Sequence, residues 1–465
     1  MMFGFSKEVD FKHQIFLYLD QQRGSTTTEA IATELRVLTN QTTLKYLKEM
    51  QESLASLYSE EQLSLQIGKR FGVQLIREEA NYQRFFEKIY SEEVVYVIYR
   101  RLLLERAFEA EVFCEQNAIS LSTLRRLINR MNQALKPYQV FIRVGKDVSI
   151  IGDEARIRLL LFTVFYHVHR KISEIPWIEG AACLEMSQQI CETYFDESTE
   201  ERLEVLALWL FINLHSESLG KRITRELFDT SYSILYTNDQ CSPATWRYIF
   251  LVMYGLDFFD FQPILTYEAL QQNMYSKTAR DWLSLFEKHV RMLTKEEKEQ
   301  FFIQVYQYAL IERVIDAPEV CDSVFHLTNP MMLQSFNYYA IVFEQLWQLF
   351  IAQQEQPEKS LSKERLKSWT FQFMSSKELL PSLRCAWRSN LPISAIKRLG
   401  KVLQWELMQV ASLHFVADCE QADLILSTEP TTQGIAIAEV PSEQDFTRLK
   451  KAIDDWLRTQ QMLFS

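Results

Sequence analysis

The sequence LSTLRRLINRMNQALK, residues 121–136, separates into two faces when it is drawn as a helix. Its apolar side chains recur at helical spacing: Leu124, Leu127, Ile128, Met131 and Leu135. Polar side chains follow the opposite face at i, i+3, i+4, i+7 and i+11: Ser122, Arg125, Arg126, Asn129 and Gln133. The stretch holds four basic residues and no acidic one. It therefore predicts an amphipathic helix with a basic, hydrogen-bonding outer face.

The flanking sequence completes a winged helix-turn-helix unit over residues 81–153. Residues 91–105 and 108–116 have helical patterns, and residues 117–120 form a turn before the amphipathic helix. Beyond it, apolar residues alternate with polar ones around Gly145-Lys146-Asp147: Val140, Ile142, Val144, Val148 and Ile150. This alternation predicts a hairpin, the wing.

A weaker copy of the unit precedes it at an offset of 80 residues. Residues 41–47 align with residues 121–127 and share a threonine, two leucines and a base in register. Leu44, Leu47 and Leu54 are the predicted buried stripe, and alternating residues around Gly68-Lys69-Arg70 predict a hairpin. Residues 1–80 are therefore a second predicted winged helix-turn-helix unit.

The residue types on both outer faces suit double-stranded DNA. Arginine can pair bidentately with guanine, asparagine and glutamine with adenine, and serine and threonine with bases or phosphates. In the first unit the predicted contacts are Thr42, Thr43, Lys45, Tyr46 and Lys48. In the second they are Ser122, Arg125, Arg126, Asn129, Arg130 and Gln133. The alternative is an ordinary solvated charged face without a partner.

Composition and charge indicate the fold class of the whole chain and where a basic surface can lie. Of 465 residues only 11 are glycine and 11 proline, which favours a mainly helical, multidomain protein. Residues 1–150 carry 20 Lys and Arg against 19 Asp and Glu, whereas residues 151–465 carry 30 against 42. A locally basic surface is therefore expected only near the N-terminus.

Three further domains follow. Residues 200–215 align loosely with residues 296–311 at an offset of 96, which favours two all-helical modules over 154–277 and 278–378. Residues 379–465 alternate between strand and helix patterns, which predicts a small α/β domain with a parallel sheet. The predicted fold is thus mainly α, with two winged helix-turn-helix units, two helical modules and a C-terminal α/β domain.

This order of parts resembles the Mga/AtxA-type transcription regulators. The junction IGDEARIR, residues 151–158, is similar to the phrase that follows the DNA-binding half of many regulators governed by the sugar phosphotransferase system. The resemblance implies a regulator of virulence or carbohydrate-responsive genes. It also implies helical modules, called phosphotransferase regulation domains, that receive a phosphoryl group on histidine from the phosphocarrier protein.

The same resemblance suggests specific sites. Residues 206–215 look like a family helix ending in Leu-His, so His215 is the preferred phosphoacceptor. The aligned position of the second module is Ile311, which leaves His289 and His326 as weaker candidates. The C-terminal domain looks like enzyme IIB but lacks a glycine beside Cys385, which implies a non-catalytic copy used for homodimerisation.

No enzyme, metal or cofactor is predicted. Phosphate-binding glycine loops and the HExxH and GxSxG motifs are absent, the seven cysteines are scattered without CxxC, and His167 and His169 would point apart on a helix. No apolar run is long enough to span a membrane, and a cytoplasmic location is expected. Two alternatives remain: a phosphotransfer component of the enzyme IIB type, using Cys385, and an RNA-binding antiterminator.

Overall fold

A computed structural model describes residues 2–22, 24–35, 39–68, 72–194, 199–224, 240–256, 270, 276–315, 337–353, 362–375, 378–429 and 434–464. These residues are mostly helical, which confirms the prediction from composition. They belong to two compact units. The first contains the described parts of 1–266 and 310–324, and the second those of 267–309 and 325–465. None of the described helices is both long and apolar enough to cross a membrane.

The first unit opens with three helices and a hairpin. They are α1 (Lys7–Asp20), α2 (Thr28–Glu34), α3 (Asn40–Leu57), β1 (Leu63–Gly68) and β2 (Gly72–Arg77), with the two strands antiparallel. The predicted hairpin tip at Lys69-Arg70 lies outside the described residues. Thr39 is the N-cap of α3, and its hydroxyl accepts a hydrogen bond from the Thr42 amide at 3.2 Å.

The buried stripe of α3 differs from the predicted one. Leu47 and Leu54 are buried as expected, but Leu44 is 36% exposed and Thr43 is fully buried. Met50 completes the buried face. The Thr43 hydroxyl donates to the Thr39 carbonyl at 3.0 Å, and this bond within the helix lets a polar side chain take an inward position.

A second group of short elements follows. They are α4 (Gln83–Ser91), α5 (Val94–Glu105), β3 (Ala107–Glu109), α6 (Ala110–Gln116), α7 (Leu121–Ala134), β4 (Phe141–Val144) and β5 (Asp147–Ile151). The strands form an antiparallel sheet in the order β3-β5-β4. The helix predicted from residue 108 is wrong at its start, because Phe108 pairs with Val148 in the sheet.

Four longer helices complete the first unit: α8 (Glu154–His169), α9 (Ala181–Tyr194), α10 (Glu200–Ser218) and α11 (Pro243–Gly255). Gly152 precedes α8 with φ +156, and a Cβ there would lie 3.3 Å from the Gln139 carbonyl oxygen. Asp153 then caps α8 by accepting from the Ala155 amide at 3.1 Å. The junction that carried the family resemblance is thus a tight turn into a capped helix.

The second unit contains α12 (Ser276–His289), α13 (Lys295–Ile315, of which 310–315 belong to the first unit), α14 (Asn337–Gln353) and α15 (Lys363–Phe373). Its C-terminal part holds β6 (Ser382–Arg388), α16 (Ile393–Glu406), β7 (Ser412–Phe415), β8 (Leu424–Ser427), β9 (Ile435–Ala436) and α17 (Glu443–Phe464). The four strands are parallel in the order β7-β6-β8-β9. Leu383, Cys385, Leu403, Leu426 and Ile453 lie in its apolar core.

A buried cluster of charges connects α5, α8 and α10. Glu154 Oε1 accepts from Arg106 Nη2 at 2.7 Å and from Arg158 Nε at 2.9 Å. Arg158 is fully buried, and its Nη1 donates to Asn213 at 3.1 Å. Arg106 Nη2 also donates to Ser216 at 2.5 Å. Because buried charges are costly unless they are paired, Glu154 compensates both guanidinium groups, and Glu217 Oε1 adds a second carboxylate 3.9 Å from Arg158 Nη2.

Replacing Glu154 by Gln should destabilise the first unit strongly, since two buried cations would no longer share a carboxylate. We expect the free energy of unfolding to fall by about 3–5 kcal/mol, the usual effect of removing one partner from a buried ion pair. Urea denaturation of the full chain, with hydrogen-exchange protection of α8 read at each concentration, isolates this unit.

Glu109→Gln is the matched control, because Glu109 is exposed. Its effect should stay within about 0.5 kcal/mol of wild type. Equal stability of the two variants would show that the Glu154 carboxylate does not hold the cluster together.

Candidate nucleic-acid interface

The turn between α6 and α7 fixes where α7 begins. Ala118 takes a left-handed conformation with φ +51, and the Ile119 amide donates to the Cys114 carbonyl at 3.0 Å. Ser120 then caps α7, since its hydroxyl accepts from the Thr123 amide at 3.1 Å. From this start Leu124, Ile128 and Met131 turn inward and are almost completely buried.

The opposite face of α7 is open. The periodicity predicted five exposed side chains on this face, and all five are exposed: Ser122, Arg125, Arg126, Asn129 and Gln133. Neither Arg125 nor Arg126 forms an ion pair with any described residue. Two guanidinium groups and two side-chain amides therefore remain available to an external partner.

Arg130 is an exception to the predicted set. It is half-buried, and its Nε donates to the Gly4 carbonyl at 2.8 Å. Its spacing places it on the border between the two faces of α7, where a long side chain can turn inward. Arg130 was predicted as a DNA contact beside the outer-face residues, and in the structure its guanidinium contacts the chain itself.

The side chain of Asn132, on α7, forms two hydrogen bonds to the hairpin β4–β5. Asn132 Nδ2 donates to the Ile142 carbonyl, and its Oδ1 accepts from the Ile142 amide, both at 2.8 Å. Ile142 is buried, so the next residue, Arg143, points outward, and Lys146 at the hairpin tip is also exposed. Neither base was among the predicted contacts, although the alternation along β4 could have identified Arg143.

The outer face of α3 is less basic than that of α7. Lys45 and Lys48 are exposed and Tyr46 is half-buried, but Lys45 forms an ion pair with Glu49 at 3.5 Å. Thr42 is half-buried, and its hydroxyl bonds to that of Thr39 at 2.9 Å. Thr43 is buried, which corrects its predicted place on this face.

The candidate phosphoacceptors differ in environment. His215 lies in the last turn of α10, half-buried and stacked on Phe211, and its Nε2 donates to the Leu104 carbonyl at 3.0 Å. His289 is exposed at the end of α12. His326 lies outside the described residues. Ile311, the residue aligned with His215, is fully buried.

Cys385 is poorly placed to accept a phosphoryl group. It lies within β6 and is 1% exposed. Burial raises the pKa of its thiol to about 12, and the nearby Asp423 carboxylate adds to the shift. Since the thiolate is the nucleophile, this environment argues against phosphotransfer through Cys385.

A known protein family matches the part of the chain that contains α7. Residues 78–166 match the family model of the Mga helix-turn-helix domain. The match runs from just before α4 to near the end of α8, and so includes α6, α7 and the hairpin β4–β5. No curated protein matches the chain. The match confirms the predicted resemblance to Mga-type regulators over residues 78–166, the region around α7.

Proposed function

We propose that the protein is a transcription regulator that binds double-stranded DNA through α7. The observation that carries the proposal is the outer face of that helix: five hydrogen-bonding side chains, no acidic residue, and two arginines without an ion-pair partner in the described structure. A helix of this kind fits the major groove, where base edges present acceptors to arginine and paired donors and acceptors to asparagine and glutamine.

The neighbouring hairpin supports the same orientation. Arg143 and Lys146 are exposed bases on an element that Asn132 attaches directly to α7. With α7 in the major groove, these side chains are suited to contacts with adjacent phosphates, which position a protein without reading sequence. Lys45, Lys48, Tyr46 and Thr42 of α3 form a second, weaker contact, because Glu49 offsets part of their charge.

Replacing Arg125 and Arg126 by Ala should weaken duplex binding and reduce its salt dependence. For every phosphate that an arginine no longer neutralises, the slope of log affinity against log salt should fall by about 0.9. For every guanine edge that is no longer read, binding should weaken by about 1–3 kcal/mol. Gel-shift titrations of the full chain at two salt concentrations measure both quantities.

The double variant Lys450→Ala/Lys451→Ala is the matched control. It also removes two adjacent exposed bases, but from α17 in the second unit, and should leave affinity and slope unchanged. An Arg125→Ala/Arg126→Ala variant with wild-type affinity and slope would exclude α7 as the DNA-binding element.

We further propose that His215 receives a phosphoryl group from the phosphocarrier protein of the sugar phosphotransferase system, with His289 and His326 as lesser sites. The support is the position of His215 at a contact between α10 and the end of α5. A phosphoryl group there adds about −1.5 to −2 charges beside helix-terminal carbonyls, which already carry partial negative charge. Modification would therefore weaken this contact and alter how α10 supports the DNA-binding part.

Labelling tests this assignment. With radiolabelled phosphoenolpyruvate, the general phosphotransferase enzyme and the phosphocarrier protein, wild type should acquire an acid-labile, base-stable label, and His215→Ala should lose most of it. His289→Ala, which changes an exposed histidine, should keep most of it. Equal labelling of wild type and His215→Ala would contradict the assignment of His215.

We also propose a homodimer through the C-terminal domain. Its helix α16 exposes large apolar side chains: Val402 is 42% exposed and Trp405 is 71% exposed, and Met408 just beyond the helix is 53% exposed. Adjacent exposed apolar residues of this size commonly mark protein–protein contacts.

Substituting Trp405 by Glu should therefore shift the protein from dimer to monomer, because a charge would have to be buried in the contact. Light scattering coupled to size-exclusion chromatography reads the mass. Met292→Glu is the control, since Met292 is 69% exposed and lies outside α16. A wild-type chain that elutes as a monomer, or a dimeric Trp405→Glu variant, would overturn this interface.

A further inference from the structure

The first residues of the chain are packed inside the helix-turn-helix region rather than beside it. Phe3 is 3% exposed and Phe5 is fully buried, although both lie far outside the matched segment 78–166. The Phe5 ring contacts Tyr90 of α4 edge to face at 4.9 Å between centroids. The Phe3 ring lies 6.1 Å from that of Tyr138, just after α7. We refer to residues 2–6 as the N-terminal clasp.

Gly4 brings the clasp against the backbone of α7. Its φ is +80, a conformation that favours glycine, and a Cβ at this position would lie 2.5 Å from the Met131 Cα and 2.9 Å from its Cγ. Met131 is on the buried face of α7. A methyl group on Gly4 would therefore have to displace the clasp and the C-terminal end of α7 relative to one another.

Three polar bonds hold the clasp in place. Arg130 Nε of α7 donates to the Gly4 carbonyl at 2.8 Å, and the Tyr99 hydroxyl of α5 donates to the Phe3 carbonyl at 2.8 Å. The Ser6 hydroxyl donates to Glu93 at 2.6 Å. The clasp thus connects α7 to the start and middle of α5, across the interior of the DNA-binding part.

We propose that the N-terminal clasp sets the position and rotation of α7 for reading DNA, with Arg130 and Gly4 as positioning residues. This inference rests on the proposed DNA-binding function. Arg130 follows Arg126 by four residues and precedes Gln133 by three, so all three lie along one edge of the helix. A bond that fixes Arg130 therefore also fixes the direction in which Arg126 and Gln133 leave the helix.

A positioning residue and a phosphate-binding residue give different signatures. Removal of a phosphate-binding side chain weakens binding to every sequence and lowers the salt slope. Displacement of α7 instead disrupts the reading of bases, so it lowers the preference for a selected sequence while backbone binding persists. The two effects separate when one protein is titrated with two duplexes.

The test uses the full-length chain with a duplex recovered by wild-type selection from a random pool, and with a random-sequence duplex. Gly4→Ala and Arg130→Met should bind the selected duplex about tenfold more weakly, the loss caused by roughly one mismatched base pair. Both should bind the random duplex with wild-type affinity and salt slope. Arg126→Met, a matched change on the outer face, should weaken binding to both duplexes and lower the slope.

Gly24→Ala is the control for Gly4→Ala, because a Cβ at Gly24 meets no atom within 4 Å. If Gly4→Ala loses its helical circular-dichroism signal, Tyr99→Phe, which removes only the hydroxyl bond to Phe3, takes its place and should show the same loss of preference. Wild-type preference in Arg130→Met together with Gly4→Ala or Tyr99→Phe would overturn the inference, as would a lowered salt slope in Arg130→Met. Failure of wild type to select any sequence would instead count against DNA binding itself.

Discussion

The Glu154 carboxylate, 15% exposed, lies between the buried guanidinium groups of Arg106 and Arg158, and these charges tie three helices of the first unit together. Arg106 follows α5, Glu154 and Arg158 belong to α8, and hydrogen bonds from the cluster reach Ser216 and Asn213 of α10. Since unpaired buried charges are strongly unfavourable, the three helices are held in one arrangement. His215, which contacts the end of α5, lies on α10 as Ser216 and Asn213 do, so the proposed phosphoryl group would be placed close to this cluster.

Helix α7 uses separate faces for packing against the chain and for the proposed contact with DNA. Its inner face is buried through Leu124, Ile128 and Met131, and its border residues are committed to the chain itself, Asn132 to the hairpin and Arg130 to the clasp. The outer face keeps its bases without ion pairs in the described structure. An acid-free face with two exposed arginines is suited to a polyanion, because like charges there add to one positive field.

Helical periodicity was enough to predict α7 and its polar outer face, because local spacing decides which side of a single helix is buried. It failed by one position on α3, where Thr43 is buried and Leu44 exposed, since a threonine can satisfy its hydroxyl within the helix. It also misplaced the start of α6 and gave no sign that Arg130 bonds to the chain itself. The Gly4 carbonyl and the partner strand of β3 that decide these positions lie 126 and about 40 residues away along the chain. Contacts of that range leave no signal in local pattern.

The central claim is that α7 occupies the major groove of duplex DNA. Methylation interference on a bound duplex tests it most directly, because dimethyl sulfate modifies guanine at N7 in the major groove and adenine at N3 in the minor groove. The account predicts that N7 methylation at a cluster of guanines abolishes binding, and that these positions lose their effect in the Arg125→Ala/Arg126→Ala variant. Interference confined to adenine N3, or to neither base, would place the protein outside the major groove and contradict the account.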